Sequence, residues 1–134
     1  MTSLFPDICT DDLAASRDFY RDLLGFRTVF ENDWYVQMQL PDQPQVQLAF
    51  VLREHDSVPR AFQARAQGVL VTVELDDVDA CHARARALGL ALEYPLVSEV
   101  WGQRHFMVAD PNGLLVDVVQ LIDTAEPAWA SAGT

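Results

Sequence analysis

Hydrophobic residues recur at helical spacing along this chain, and the clearest segment opens with a pair of aspartates and ends at a glycine. It covers residues 11–25, and a second segment with the same opening and ending covers residues 76–89. Aspartate favours the N-cap and the positive end of the helix dipole, and glycine favours the residue after the last turn. The pattern predicts two helices. In the first, one face carries Ala15, Phe19, Tyr20, Leu23 and Leu24.

Short runs typical of β-strands surround both predicted helices, with turn signals such as Pro41-Asp42 and Pro111-Asn112-Gly113 between them. One run precedes each helix and three follow it. The runs of the first half are 4–10, 27–32, 34–40 and 45–52. Those of the second half are 69–75, 92–98, 104–109 and 114–121. The chain therefore repeats the order β-α-β-β-β.

This internal duplication predicts an α+β fold made of two βαβββ modules. A four-stranded sheet cannot cover its own face, so we expect the two modules to pack together. We place them in a single domain, 1–122, with module one at 3–53, an irregular or helix-prone linker at 54–67 and module two at 68–122. The remaining residues, 123–134, form a predicted C-terminal tail.

Composition and charge narrow the range of functions. The 134 residues carry a net charge of −11, which repels phosphate backbones and argues against a nucleic-acid partner. No apolar run is long enough to cross a membrane, and no secretory signal is visible, so we expect a cytoplasmic protein. The cysteines, Cys9 and Cys81, lie too far apart for a CxxC motif, and we interpret both as packing residues.

Three segments resemble the vicinal oxygen chelate superfamily, which includes glyoxalase I, bleomycin-resistance proteins and extradiol dioxygenases. They are DDLAASRDFYRDLLGF (11–26), LDDVDACHARARALGL (75–90) and FMVADPNGLLVDVV (106–119). The resemblance covers residues 3–122 and implies curled mixed sheets that enclose a cleft, commonly in a homodimer. Because this fold hosts both metal enzymes and metal-free drug binders, the function has to be argued from the site.

The resemblance also implies where metal ligands would lie, on the first and last strands of the modules. The first-strand positions fall on Phe5 and Leu70, and the last-strand position of module two falls on Asp117. The last strand of module one offers no carboxylate. Zinc takes about four N, O or S donors, and the three histidines, His55, His82 and His105, have no partner at i+2 or i+4. We therefore expect no metal cofactor; a divalent metal would need unconventional ligands.

Period-two alternation predicts what faces the cleft instead. Phe5 and Leu70 would form its walls and Asp117 an acidic point. Trp34 and Trp101 lie near the same region in the sequence and are candidate aromatic contacts for a planar or cationic ligand. His105 completes the candidate ligand-binding set. Trp101 begins a W-G-x-R segment similar to one in bleomycin-resistance-like proteins.

Two hypotheses follow. The first is a metal-free binding protein that sequesters a planar or cationic compound, such as an antibiotic, with no cofactor. The alternative is a glyoxalase- or dioxygenase-like enzyme with an atypical metal site, or one in which Asp117, Glu74 or His105 serves as general base.

Overall fold

The structure, a computed structural model, describes residues 1–123, so most of the predicted tail lies outside the described residues. It confirms the α+β fold of two βαβββ modules. The helix and strands of the first module are β1 (Asp7–Thr10), α1 (Leu13–Leu24), β2 (Arg27–Glu31), β3 (Tyr35–Leu40) and β4 (Gln43–Leu52). Those of the second are β5 (Leu70–Glu74), α2 (Val78–Ala87), β6 (Leu92–Glu99), β7 (Gln103–Ala109) and β8 (Leu115–Leu121). The predicted linker contains one short 3-10 turn, Arg60–Phe62.

Each module forms its own four-stranded mixed sheet, and the two sheets have the same topology. The strand orders are β1-β4-β3-β2 and β5-β8-β7-β6. In both sheets the first and last strands of the module pair in parallel, and the other neighbours are antiparallel. The parallel pair is possible because the helix provides the crossover connection. The duplication in sequence is therefore a duplication in structure.

The chain divides into two compact units. The first consists of Met1–Gly68 with the turn Asp110–Gly113, and the second, within the described residues, of Val69–Ala109 with 114–123. The Pro-Asn-Gly turn that leads into β8 thus belongs to the first unit. In residues 1–123 no helix has the length and apolar character needed to cross a membrane.

Helix α1 begins and ends as the sequence predicts. The side chain of Asp12 accepts a hydrogen bond from the Ala15 N–H at 3.0 Å, which satisfies one of the free amides of the first turn. Gly25 adopts φ 77°, in the left-handed region that favours glycine, and its N–H donates to the Arg21 carbonyl. Asp11, the other member of the pair, instead forms ion pairs with Arg53 and Arg65.

The core of the first unit lies between α1 and one face of its sheet. Tyr20 and Leu23 are fully buried on the helix, and the Tyr20 ring lies 5.4 Å from that of Phe50 on β4. The hydroxyl of Tyr20 donates to Asp110 Oδ2 at 2.9 Å, which ties the Asp110–Gly113 turn to this core. Burial, and then the charge of Asp110, raises the pKa of Tyr20 far above its usual value, so the phenol remains protonated.

The second unit is built in the same way around α2. Asp77 caps this helix by accepting from the Ala80 N–H at 3.0 Å. Val78, Cys81 and Ala85 are buried on the helix. The even-numbered residues of the two central strands are buried in the core that α2 covers: Phe106, Val108, Val116 and Val118. Because side chains alternate along a strand, the odd-numbered residues lie on the opposite face of the sheet, which we call the open face because α2 does not cover it. His105 and Val119 on this face are nevertheless buried.

Candidate functional site

Two of the predicted site residues meet on the open face of the second unit. In the antiparallel pairing of β7 with β8, His105 lies opposite Val119 and Met107 lies opposite Asp117. Directly opposed residues share a face, so His105 and Asp117 are diagonal neighbours on it. The imidazole of His105 contacts the carboxylate of Asp117, with His105 Nδ1 lying 2.8 Å from Asp117 Oδ1.

A second carboxylate holds the other side of the imidazole. Glu99, the last residue of β6, places Oε2 at 3.0 Å from His105 Nε2. The hydroxyl of Tyr94, also on β6, donates to the same Glu99 oxygen at 2.8 Å. His105 is only 4% exposed, and the side chains of Asp117 and Glu99 are 13% and 16% exposed. We call these four residues, Tyr94, Glu99, His105 and Asp117, the histidine–carboxylate cluster.

The geometry of the cluster favours a positively charged histidine. An ionised carboxylate only accepts hydrogen bonds, so a ring nitrogen facing one must carry a proton. Both ring nitrogens of His105 face a carboxylate oxygen, which favours the doubly protonated imidazolium. Burial alone would lower the pKa of His105, but the hydrogen bonds and charges of Glu99 and Asp117 outweigh it and raise that pKa above its usual value.

The partners of the imidazolium respond in the opposite sense. The hydrogen bond from His105, followed by the one from Tyr94, lowers the pKa of Glu99 below its usual value. The bond to Glu99 in turn raises the pKa of the Tyr94 phenol. The cluster therefore holds two carboxylates and one imidazolium, with a formal charge of −1.

An aromatic ring lies at the edge of the cluster. Trp101, in the turn between β6 and β7, is 41% exposed, and its ring centroid lies 6.5 Å from that of His105 in an edge-on arrangement. The indole N–H donates to Gln103 Oε1 at 2.9 Å, which orients the ring. The next residue, Gly102, is buried at φ 98°, a conformation that glycine adopts without strain.

The other predicted site residues take different places. Leu70 is the first residue of β5 and 49% exposed, and it pairs with Leu115, two positions before Asp117. Phe5, half-buried, precedes β1 in the first unit. Trp34, also in the first unit, stacks on His55 with ring centroids 3.9 Å apart. The structure brings together Trp101, His105 and Asp117.

Sequence reasoning missed Glu99 and Tyr94, and it treated Asp117 as an isolated acidic point. The strand that carries the two missed residues pairs irregularly with β7, with register shifts between Leu92 and Tyr94 and again between Tyr94 and Val97. Such bulges break the period-two alternation from which shared faces are predicted. The β6–β7 hairpin could have indicated that Glu99 lies near His105, because its regular end pairs Val97 with His105 and Glu99 with Gln103.

The cluster does not fit a metal ion. A metal site needs donor atoms that converge on one point, with three from protein even at an open zinc site. Here the imidazole lies between the carboxylates and directs both nitrogens at their oxygens. Across residues 1–123, no group of three or more His, Cys, Asp or Glu side chains is arranged to hold a metal ion.

In the first unit, the sheet face that α1 does not cover, which we also call the open face, carries neutral amides instead of an ionic cluster. Tyr35 donates to Gln37 Oε1 at 3.0 Å, and Gln37 Nε2 donates to Gln47 Oε1 at 2.8 Å. Asp7 on the neighbouring strand has its pKa raised by burial. The tyrosine and the two glutamines are hydrogen-bonded to one another, so the histidine–carboxylate contact is found in the second unit and not at the matching place in the first.

A cavity of about 360 Å³ lies elsewhere in the first unit, at the start of α1. Of its charged lining residues, Asp11 is paired with Arg65 and with Arg53, and Asp12 caps α1. Burial raises the pKa of Cys9, which disfavours the reactive thiolate. The charged groups of this cavity are therefore already engaged in ion pairs or helix capping. The histidine–carboxylate cluster is therefore the candidate site.

Comparison with known proteins gives one family and one fold. The model of the Glyoxalase/Bleomycin resistance protein/Dioxygenase superfamily matches residues 4–118. A glyoxalase/bleomycin resistance protein/dioxygenase from Nocardioides is 27% identical, with a TM-score of 0.70 over 95% of this chain and 86% of that one. TnmS3, an antibiotic binding protein from Streptomyces, is 23% identical, with a TM-score of 0.69 over 90% of this chain and 95% of its own. No curated protein matches the sequence significantly.

Proposed function

This chain belongs to the glyoxalase/bleomycin resistance protein/dioxygenase superfamily, and we propose that it binds a small organic molecule, planar or cationic, and sequesters it without a resident metal ion. One observation carries the proposal. The imidazole of His105 lies between Glu99 and Asp117 and uses both of its nitrogens on them. The carboxylates of Glu99 and Asp117 therefore flank the His105 imidazolium, which is an organic cation that belongs to the protein itself.

The same observation favours binding over catalysis. A general base needs a free lone pair within hydrogen-bond reach of the substrate proton. Both nitrogens of His105 are engaged with carboxylate oxygens, so the imidazole has no free lone pair with which to take a substrate proton. The exposed ring of Trp101 beside the cluster offers flat apolar area of the kind that holds planar or cationic ligands. An antibiotic binding protein, TnmS3, has the same fold.

Binding can be tested with a panel of planar and cationic aromatic compounds, including bleomycin-type antibiotics. We expect ligands of this class to quench tryptophan fluorescence and to raise the melting temperature. Trp101→Ala should weaken binding by about 1–3 kcal/mol if the ring is a central contact. Val100→Ala is the matched control, because Val100 is the preceding residue and is 71% exposed.

Two results would contradict the proposal. One is a panel in which no compound binds. The other is stoichiometric zinc, nickel, iron or manganese in the purified protein, measured by elemental analysis. We also propose a homodimer, which sedimentation at several protein concentrations would detect. Phe5, Trp34 and Leu70 remain predicted contacts, and alanine variants in the same binding assay test each one.

A further inference from the structure

Two acceptor oxygens of the cluster remain available to a ligand. In the part of the chain that the structure describes, Glu99 Oε1 and Asp117 Oδ2 accept no hydrogen bond, because His105 and Tyr94 use the other oxygen of each carboxylate. Neither oxygen is a fully buried atom without a partner, so neither is completely shielded from solvent. They offer a ligand two charged acceptors on either side of the imidazolium.

The charge of the cluster limits what these acceptors attract. Glu99 and Asp117 contribute two negative charges and His105 returns one positive charge, for a formal total of −1. The other residues facing this site are uncharged or more distant: Tyr94 is a neutral phenol, and Glu74 lies on β5, beyond Val119. A ligand with one positive charge would neutralise the cluster, whereas a doubly charged one would overcompensate it.

Building on the proposed function, we propose that His105 is a specificity-determining residue that makes this site select an organic cation with a single positive charge and N–H donors over a divalent cation. It acts by occupying the space between Glu99 and Asp117 and by cancelling one of their charges. A planar amidinium beside an aromatic ring has the required chemistry. Its N–H groups can donate to the free carboxylate oxygens while its ring lies against Trp101.

The test compares three probes by calorimetric titration in a buffer of low ionic strength: benzamidine, the neutral isostere benzamide, and Mn²⁺. For the native protein we expect benzamidine to bind at least tenfold more tightly than benzamide, on the order of one charge interaction near a protein surface. Mn²⁺ should bind more weakly than benzamidine.

The decisive variant is His105→Gln, which replaces the imidazolium with a neutral amide that can still donate a hydrogen bond. Attraction scales with ligand charge, so benzamidine should gain roughly tenfold in affinity and Mn²⁺ roughly a hundredfold. The preference for benzamidine over Mn²⁺ should therefore fall about tenfold. Asp117→Asn should weaken benzamidine binding in the native background. His82→Gln is the matched control, since His82 contacts Phe106 in the core covered by α2.

Each outcome decides a separate point. An unchanged preference in His105→Gln, with binding retained, would overturn the role of His105 and leave the proposed function intact. Weaker benzamidine binding in that variant would mean that the imidazole contacts the ligand directly, and would also overturn it. Failure of both proteins to bind benzamidine would overturn the assignment of ligand charge, and failure of the wider compound panel would overturn the proposed function. Circular dichroism of each variant checks that it is folded.

Discussion

The hydrogen bond between Tyr20 and Asp110 should be among the most stabilising polar contacts of the first unit. Tyr20 is fully buried, Asp110 is 5% exposed, and 2.9 Å separates the hydroxyl from Oδ2. Tyr20→Phe removes the hydroxyl and keeps the ring packed near Phe50. It deprives a buried carboxylate of a donor, which costs about 2–3 kcal/mol, at the upper end of the range for an unsatisfied buried group.

Urea unfolding followed by circular dichroism measures this loss. The midpoint should fall while the dependence on urea stays the same, because the surface exposed on unfolding does not change. Tyr35→Phe is the matched control, since the Tyr35 hydroxyl bonds only to the half-buried Gln37. A double-mutant cycle with Asp110→Ala should give a coupling of about 1–3 kcal/mol. A loss below about 0.5 kcal/mol in Tyr20→Phe would refute the reasoning.

Three further predictions concern the histidine–carboxylate cluster, the N-terminal cap of α1 and Gly102. The raised pKa of His105 stabilises the fold below its usual value of 6.5, and this is lost as pH rises through the folded value. The lowered pKa of Glu99 stabilises the fold above its usual value of 4.5, and this is lost as pH falls. The melting temperature difference between the native protein and His105→Gln should therefore be largest between these values; a constant difference would contradict this. Asp12→Ala should cost about 1 kcal/mol in urea unfolding through loss of the cap; an equal loss in Asp11→Ala would argue against capping. Gly102→Ala should cost about 1–3 kcal/mol because of its positive φ, and a neutral result would contradict that strain.

The fold could be predicted because its signals are local and occur twice. Each Asp-Asp pair precedes a helix, and the second member of each, Asp12 or Asp77, is the cap. Each glycine that follows a helix, Gly25 or Gly89, has positive φ. Such signals depend on residues within a few positions of one another, so one sequence is enough to detect them. The first strand is shorter than predicted and begins after Pro6, which has no N–H for the sheet.

The candidate site could be predicted only in part, because its contacts join three strands. Alternation along β8 predicted that Asp117 faces the cleft, whereas His105 was predicted as a site residue without a face assigned from its own strand. Their contact depends on the register between the strands, which alternation within one strand does not determine. Glu99 was further out of reach, because the bulges of β6 change which of its residues share a face with His105. The charge of the histidine follows only once both carboxylates are located.

The duplication also explains why one open face holds an ionic cluster and the other does not. In the first unit Tyr35 lies opposite Val51, and in the second His105 lies opposite Val119, so the tyrosine and the histidine occupy matching register positions. Because the backbone pairing is the same, the difference in chemistry arises from individual side chains. In the first unit Asp7 on the first strand is paired with Ala49 on the last strand. In the second unit Thr72 on the first strand is paired with Asp117 on the last strand. The carboxylate therefore lies on the first strand in one unit and on the last strand in the other. Only on the last strand is it a diagonal neighbour of the residue at the histidine position, and this places the acidic pair around His105 in the second unit alone among the described faces.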